Sequence, residues 1–143
     1  QKKEVFDEDL EAIISDEVQH IKEVYILKSL RAESGTGVTP TATVEMEING
    51  KSDKQTGHGD GQVDAVYKTI AAITNTKSKL DAYLVKGITG GTDALGEVTV
   101  KLEEGGKKVT GHGADTDIIV ASAKAYVNAL NKLEYWKKGK GKS

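Results

Sequence analysis

Thr41 to Ile48 alternates without a break: Ala42, Val44, Met46 and Ile48 point one way, Thr41, Thr43, Glu45 and Glu47 the other. A period of two predicts a strand with one buried face. Asn49-Gly50 follows, and such a pair is the strongest short hairpin signal, because a tight turn needs residues that tolerate positive φ. Lys51 to Gly57 is therefore expected to return as the partner strand. Upstream, Val24 to Ser34 alternates only roughly, with Val24 and Ile26, then a slip of phase, then Leu27 and Leu30. It reads as a strand that turns at Ser34-Gly35-Thr36-Gly37, with Pro40 marking a strand edge or start. Past residue 59 the period changes. Val63, Val66, Tyr67, Ile70 and Ile73 fall at helical spacing, predicting an amphipathic helix entered through Asp60-Gly61.

The second half repeats this order. Leu84 to Ile88 is a candidate strand that ends at Gly90-Gly91. Gly96 to Leu102 alternates, with Val98, Val100 and Leu102 inward; Glu104-Gly105-Gly106 turns the chain, and Lys107 to Gly113 returns. Asp115-Thr116-Asp117 is expected to cap a helix carrying Ile119, Ala123, Tyr126, Leu130 and Leu133 on one stripe. The tetrapeptide Thr-Gly-His-Gly stands at equivalent points of both halves, at 56–59 and 110–113, which marks a duplicated unit. The expected fold is α+β: two repeated β-β-β-α units packed together, each sheet with one apolar face for its helix to cover. The duplication also suggests two glycine-rich helix entrances, whose backbone N–H groups suit anions.

Residues 1–23 are charged, with Phe6, Leu10, Ile13 and Ile14 at helical spacing, and read as a linker or small helical subdomain. The main body then spans 24–133, divided into repeats 24–79 and 80–133, and the basic, glycine-rich residues 134–143 are expected to be a disordered tail. The chain begins at Gln1 without an initiator methionine or signal pattern, and reads as a segment of something longer.

Composition narrows the function. The net charge of −2 and pI of about 6.0 create no field that attracts nucleic acid or an anionic membrane. Cysteine is absent, which fits a reducing cytoplasm and removes thiol chemistry. No apolar run reaches the roughly 18 residues of a membrane span. Gly50-Lys51-Ser52 and Gly141-Lys142-Ser143 share letters with the end of a P-loop, but Glu45 and Trp136 occupy the place of its first glycine. His58 and His112 sit at matching points of the repeats, so a shared metal is conceivable; a structural role at strand ends is the expected one, and no metal site is assigned. Asp60, Asp64, Asp93, Asp115 and Asp117 gather around the helix entrances, where capping explains carboxylates without acid–base catalysis.

Three blocks of residues carry a family resemblance. Gly57-His58-Gly59-Asp60-Gly61-Gln62-Val63-Asp64-Ala65-Val66-Tyr67 resembles the G-x-G-x-G-P-V-D-A-x-Y stretch of 2-isopropylmalate synthases. Residues 88–98 and 113–122 look like two further blocks of the same C-terminal domain. Gln62 departs from the pattern, since the family usually has proline there, and should loosen the entrance to the first helix. The resemblance implies a regulatory domain that forms a homodimer and binds leucine to inhibit the condensation of acetyl-CoA with 2-oxoisovalerate. All catalytic residues, the divalent metal and the acetyl-CoA site would belong to an N-terminal barrel, leaving none in this segment. Citramalate synthases share the architecture and answer to isoleucine.

Carried over block by block, the family's effector pocket falls on Gly61, Val63, Asp64, Leu80, Tyr83, Gly87, Asp93, Ala94, Ala114 and Ile118. The effector carboxylate would suit the N–H groups from Gly59 to Val63, with Gly61 expected to hold dihedrals that disfavour a side chain. For Val63, Leu80, Tyr83 and Ile118 the plain alternative is core packing. A self-contained small enzyme built on the aspartates, or a dimerisation module without sensing, are the competing functions. A homodimer is expected on physical grounds as well, because two helices cannot cover every apolar strand face.

Overall fold

The computed structural model describes residues 23–87 and 95–142. The proposed linker before residue 23, the glycine turn at 90–91, Ile88, Asp93 and Ala94 lie outside the described residues. Three strands, β1 (Tyr25–Gly35), β2 (Val38–Ile48) and β3 (Lys51–His58), precede helix α1 (Gln62–Thr74). Strands β4 (Lys79–Gly87), β5 (Gly96–Glu104) and β6 (Lys107–Asp115) precede helix α2 (Ile118–Lys142). Each triplet is an antiparallel sheet in sequence order, so the α+β fold of two β-β-β-α units is the observed one. The helices pack against each other, α1 on the first sheet and α2 on the second; α2 also reaches β1.

The β2–β3 and β5–β6 hairpins turn on pairs of positive φ, Asn49 (52°) with Gly50 (85°) and Gly105 (58°) with Gly106 (81°). The GKS letters at 50–52 are thus part of a hairpin. Ala42, Val44 and Met46 of β2 and Val98, Val100 and Leu102 of β5 are buried, as their alternation predicts. Against them lie Val66, Tyr67, Ile70 and Ile73 of α1 and Tyr126, Leu130 and Leu133 of α2. Burying a side chain of this size contributes about 1.5–3 kcal/mol.

The slip of phase in the first strand is a β-bulge. Leu27 faces Met46 and Ser29 faces Glu45, so Lys28 is the extra residue. The side chains of this segment on the core are accordingly Val24, just before the strand, with Tyr25, Leu27, Leu30 and Ala32, and not Ile26. β4 carries the same irregularity at Asp81, between Leu80 opposite Leu102 and Ala82 opposite Lys101. That bulge hides the period of two, which is why β4 starts at Lys79 and not at Leu84. Pro40 falls at another irregularity, between the Gly35–Val38 and Glu33–Thr41 pairs, where its missing N–H breaks no ladder. The α2 backbone runs to Lys142, past residue 133 where the sequence reading ends the domain and expects disorder. A helix already nucleated on a core extends at little cost through lysines.

Candidate functional site

The Thr-Gly-His-Gly repeats do not open the helices; they lie on β3 and β6, where the returning strand touches its helix. A Cβ on Gly57 would strike the Thr69 hydroxyl, and one on Gly59 would sit 2.8 Å from Ala65 Cα. A Cβ on Gly111 would sit 2.6 Å from Ala129 N, and one on Gly113 2.5 Å from Ala125 N. These glycines are spacers that allow helix and sheet to touch. The intervening histidines point outward, each to a cross-strand threonine: His58 Nδ1 lies 3.1 Å from Thr41 Oγ1 and His112 Nδ1 3.2 Å from Thr99 Oγ1. They stand on strands of different sheets. Among the described residues no three histidine, aspartate or glutamate side chains converge as a metal site, and no helix is long and apolar enough to cross a membrane.

The real helix entrances come a few residues later, and they differ. At α2 the Asp117 carbonyl accepts from Ala121 N (2.9 Å) while its carboxylate accepts from Ile119 N (2.8 Å) and Val120 N (3.4 Å). That is a complete N-cap. At α1 the Gly61 carbonyl accepts from Ala65 N (2.9 Å), and no side chain caps the first turn. The carboxylate of Asp64, the acidic residue of that turn, lies at the same helix end and accepts from Asp60 N.

Gly61 itself corrects one expectation. Its φ of −154° is ordinary extended backbone, and a Cβ there would meet open space, so neither strain nor crowding requires glycine. What glycine provides is the absence of a competing side-chain oxygen. Gln62 donates its amide to Ser34 Oγ (3.1 Å), which links the start of α1 to the end of β1. Asp64 Oδ2 accepts from Asp60 N (2.8 Å) and pairs with Lys68 Nζ (3.2 Å). The backbone N–H, helped by Lys68, holds the Asp64 carboxyl below the usual carboxylate range, so the group is charged at neutral pH.

Tyr67 and Ser122 link the two units one turn inside each helix. Tyr67 Oη donates to the Ser122 carbonyl (3.1 Å), Tyr83 Oη lies 2.9 Å from Ser122 Oγ, and Ser122 Oγ donates to the Ile118 carbonyl (2.8 Å). The Tyr67 ring meets Tyr83 edge-on with centroids 5.9 Å apart and Tyr126 at 4.5 Å. The knot brings Tyr83 beside Tyr67 of α1, on which Val63 and Asp64 lie one turn earlier, while the Ile118 side chain lies against Gly96 at the start of β5. Leu80 and Gly87 are further along β4 and exposed. Ala114 pairs with Glu97 and belongs to the outer face of the second sheet, away from the knot. Sequence reading placed Tyr67 and Tyr126 on buried stripes but gave no sign that Ser122 joins them, because a helix serine bonded to the preceding turn has no periodic signature.

A cavity of about 200 Å³ lies toward the C-terminal end of α2, lined by Glu104, Gly105, Lys107, Leu133, Trp136 and Lys137. The Lys107 ammonium stands 4.7 Å from the Trp136 ring centre, and Lys137 pairs with Glu104 at 3.0 Å. None of the carried-over positions lies there.

Comparison with known proteins supplies the family. Residues 4–134 match the family described as the LeuA allosteric (dimerisation) domain. A 2-isopropylmalate synthase of Syntrophus aciditrophicus (strain SB) is 51% identical over 99% of this chain, and one of Nitrosomonas eutropha is 53% identical over 92%. A third, from Heliobacterium modesticaldum, is 48% identical over 94%. The chain spans about a quarter of the length of these relatives, 27%, 26% and 26% respectively. On the extent of the family match and of these identities, the chain belongs to the LeuA allosteric (dimerisation) domain family.

Proposed function

We propose that this chain is the leucine-sensing, homodimeric regulatory module of a cytoplasmic 2-isopropylmalate synthase, and that leucine bound to it inhibits the condensation of acetyl-CoA with 2-oxoisovalerate. The divalent metal, the acetyl-CoA site and the catalytic residues belong to the remainder of that synthase. The observation that carries the reading is the entrance to α1. Its first turn has no side-chain cap, whereas the equivalent turn of α2 is filled by Asp117. An effector carboxylate at α1 takes the place that Asp117 takes in the other repeat. The knot of Tyr67, Tyr83 and Ser122 supplies a rigid neighbour, and the charged Asp64 carboxylate lies on the same turn for the effector ammonium.

Binding to the folded state alone raises stability by about 2.7 kcal/mol at a hundredfold excess over Kd. Calorimetry and thermal unfolding of this chain with leucine, isoleucine and valine test the reading. Leucine is expected to bind and raise the melting temperature most. A larger effect of isoleucine assigns the module to a citramalate-type parent, and no effect of any of the three leaves a dimerisation module without sensing.

A further inference from the structure

The two units are built alike down to the bulge in their first strands, so corresponding positions can be compared. With Leu27 opposite Met46 and Leu80 opposite Leu102, each just before its bulge, Leu27 matches Leu80, Leu30 matches Tyr83 and Ala32 matches Val85. In the first unit all three of these positions pack against the core. In the second unit Tyr83 does, through Ser122, but Leu80 is 46% exposed and Val85 50% exposed. Both belong to the inner face, because their partners Leu102 and Val98 are fully buried under α2. Isolated apolar residues on a surface need no explanation; two on the inward face of a strand, beside a closed core, do.

The cause is a difference in helix length. α2 reaches past its own sheet to β1, and Asn131 grips that strand: its Oδ1 accepts from Val24 N (3.0 Å) and Tyr25 N (2.9 Å), and its Nδ2 donates to Tyr25 O (2.9 Å). Ala65 and Ala121 make the same first helical bond, so counting from them puts Asn75 of α1 at the place of Asn131. α1 stops there. Asn75 is its C-cap, in the left-handed conformation at φ 56°. The helical turns that would lie over β4 do not exist, and among the described residues the only element packed along the β4 backbone is β5.

We infer that a second copy of this chain covers the inner face of β4, around Leu80 and Val85, and that this is the surface on which the domain dimerises. The inference rests on the homodimer reading and adds its location. A second copy is the occupant for two reasons. The family to which the chain belongs is described as a dimerisation domain. The patch is also a continuous apolar row, Leu80, Tyr83 and Val85 on the inward side of one strand, which a two-fold axis can lay against its own copy.

Three lysine variants of the chain separate the faces of β4. Leu80→Lys and Val85→Lys alter the inner face, while Leu84→Lys alters the outer face at a position 57% exposed and opposite Thr99. In sedimentation at tens of micromolar, wild type and Leu84→Lys are expected to be dimers, and the two inner-face variants monomers with dimer affinity at least tenfold weaker. Inner-face variants that remain dimeric overturn the location. Dissociation by Leu84→Lys to the same extent overturns it too. A monomeric wild type removes the homodimer itself, a failure distinct from the other two.

The chain has no cysteine, so Val85→Cys and Leu84→Cys each place one reactive thiol without disturbing the fold. Alkylation of Val85→Cys is expected to be at least tenfold slower than of Leu84→Cys at dimeric concentrations and to approach it on dilution. Equal rates in the dimer, or protection that survives dilution to monomers and so comes from the same chain, would overturn the inference.

Discussion

Gly61 and Asp117 occupy the same place in the two repeats. Each accepts the first backbone bond of its helix, from Ala65 N and Ala121 N, both at 2.9 Å. One carries a carboxylate folded onto the first turn and the other carries no side chain. A duplicated unit has a side-chain cap in one copy and lacks it in the other.

Gly61→Asp should therefore convert the first entrance into a copy of the second. The new carboxylate has open space to adopt the Asp117 geometry and would bond the first-turn N–H groups itself. Stability is expected to rise, by a few tenths of a kcal/mol from the cap and up to about 1 kcal/mol with the loss of glycine freedom in the unfolded chain. Leucine affinity is expected to fall at least tenfold, about 1.4 kcal/mol. Calorimetry on the variant decides it: affinity within about threefold of wild type, roughly 0.65 kcal/mol, would mean that the effector does not use this entrance.

The glycines of the two Thr-Gly-His-Gly copies should not be equally sensitive. At Gly111 an added methyl meets backbone, the carbonyl of Ala125 and the N–H of Ala129, which cannot move without parting α2 from β6. At Gly57 the obstacle is the hydroxyl of Thr69, which can rotate at the expense of its 2.7 Å bond to the Ala65 carbonyl. Overpacking costs about 1–3 kcal/mol, so we expect Gly111→Ala near the upper end and Gly57→Ala near the lower. Urea unfolding of both variants checks the order; equal losses would show that Thr69 is as fixed as backbone.

Asn131→Ala removes three hydrogen bonds to the backbone of Val24 and Tyr25 and leaves buried groups unpaired. Each such group costs about 1–3 kcal/mol, and with partial relief by water a total loss of about 2–4 kcal/mol is expected. Hydrogen exchange should report it locally, as faster exchange at Tyr25 N. Unchanged protection there would show that the ladder to β2 alone holds the strand.

Burial pushes Tyr25 up to about 12, with the Glu134 carboxylate adding to the effect, and burial alone takes Tyr126 to about 12. Tyr67 is raised further for the same reason. A tyrosine in the unfolded chain ionises near 10. Below pH 10 both states are neutral and stability is flat in this respect. Above it the unfolded chain sheds protons that the native state retains, so stability falls from about pH 10 through 12. Tyr126→Phe should make that alkaline limb shallower; an equally steep limb in the variant would mean that the native fold accepts the ionised ring. At the acid end, Asp64 and Asp115 are held low, chiefly by the backbone N–H groups of Asp60 and Asp117. Their contribution is present above the unfolded carboxylate value and is lost as pH falls through the folded one.

What the chain determines by itself is whatever has a local cause. Period-two runs set β2 and β5, the Asn49-Gly50 and Gly105-Gly106 pairs set the hairpins, and Asp117 sets the start of α2. The order of these elements fixes two β-β-β-α units, and the repeated tetrapeptide reports the duplication. The bulges at Lys28 and Asp81 broke the period and blurred β1 and β4, because an extra residue shifts every later side chain to the other face. The tertiary structure decided the rest. Thr-Gly-His-Gly looks like a helix entrance in one dimension, but it is a contact between a strand and a helix, and contact distance has no local signature. That Ser122 closes a knot with Tyr67 and Tyr83, that Ala114 faces away from it, and that α1 ends too soon to cover Leu80 and Val85 depend on how the two units pack. Those relations join residues far apart along the chain, and only packing brings them together.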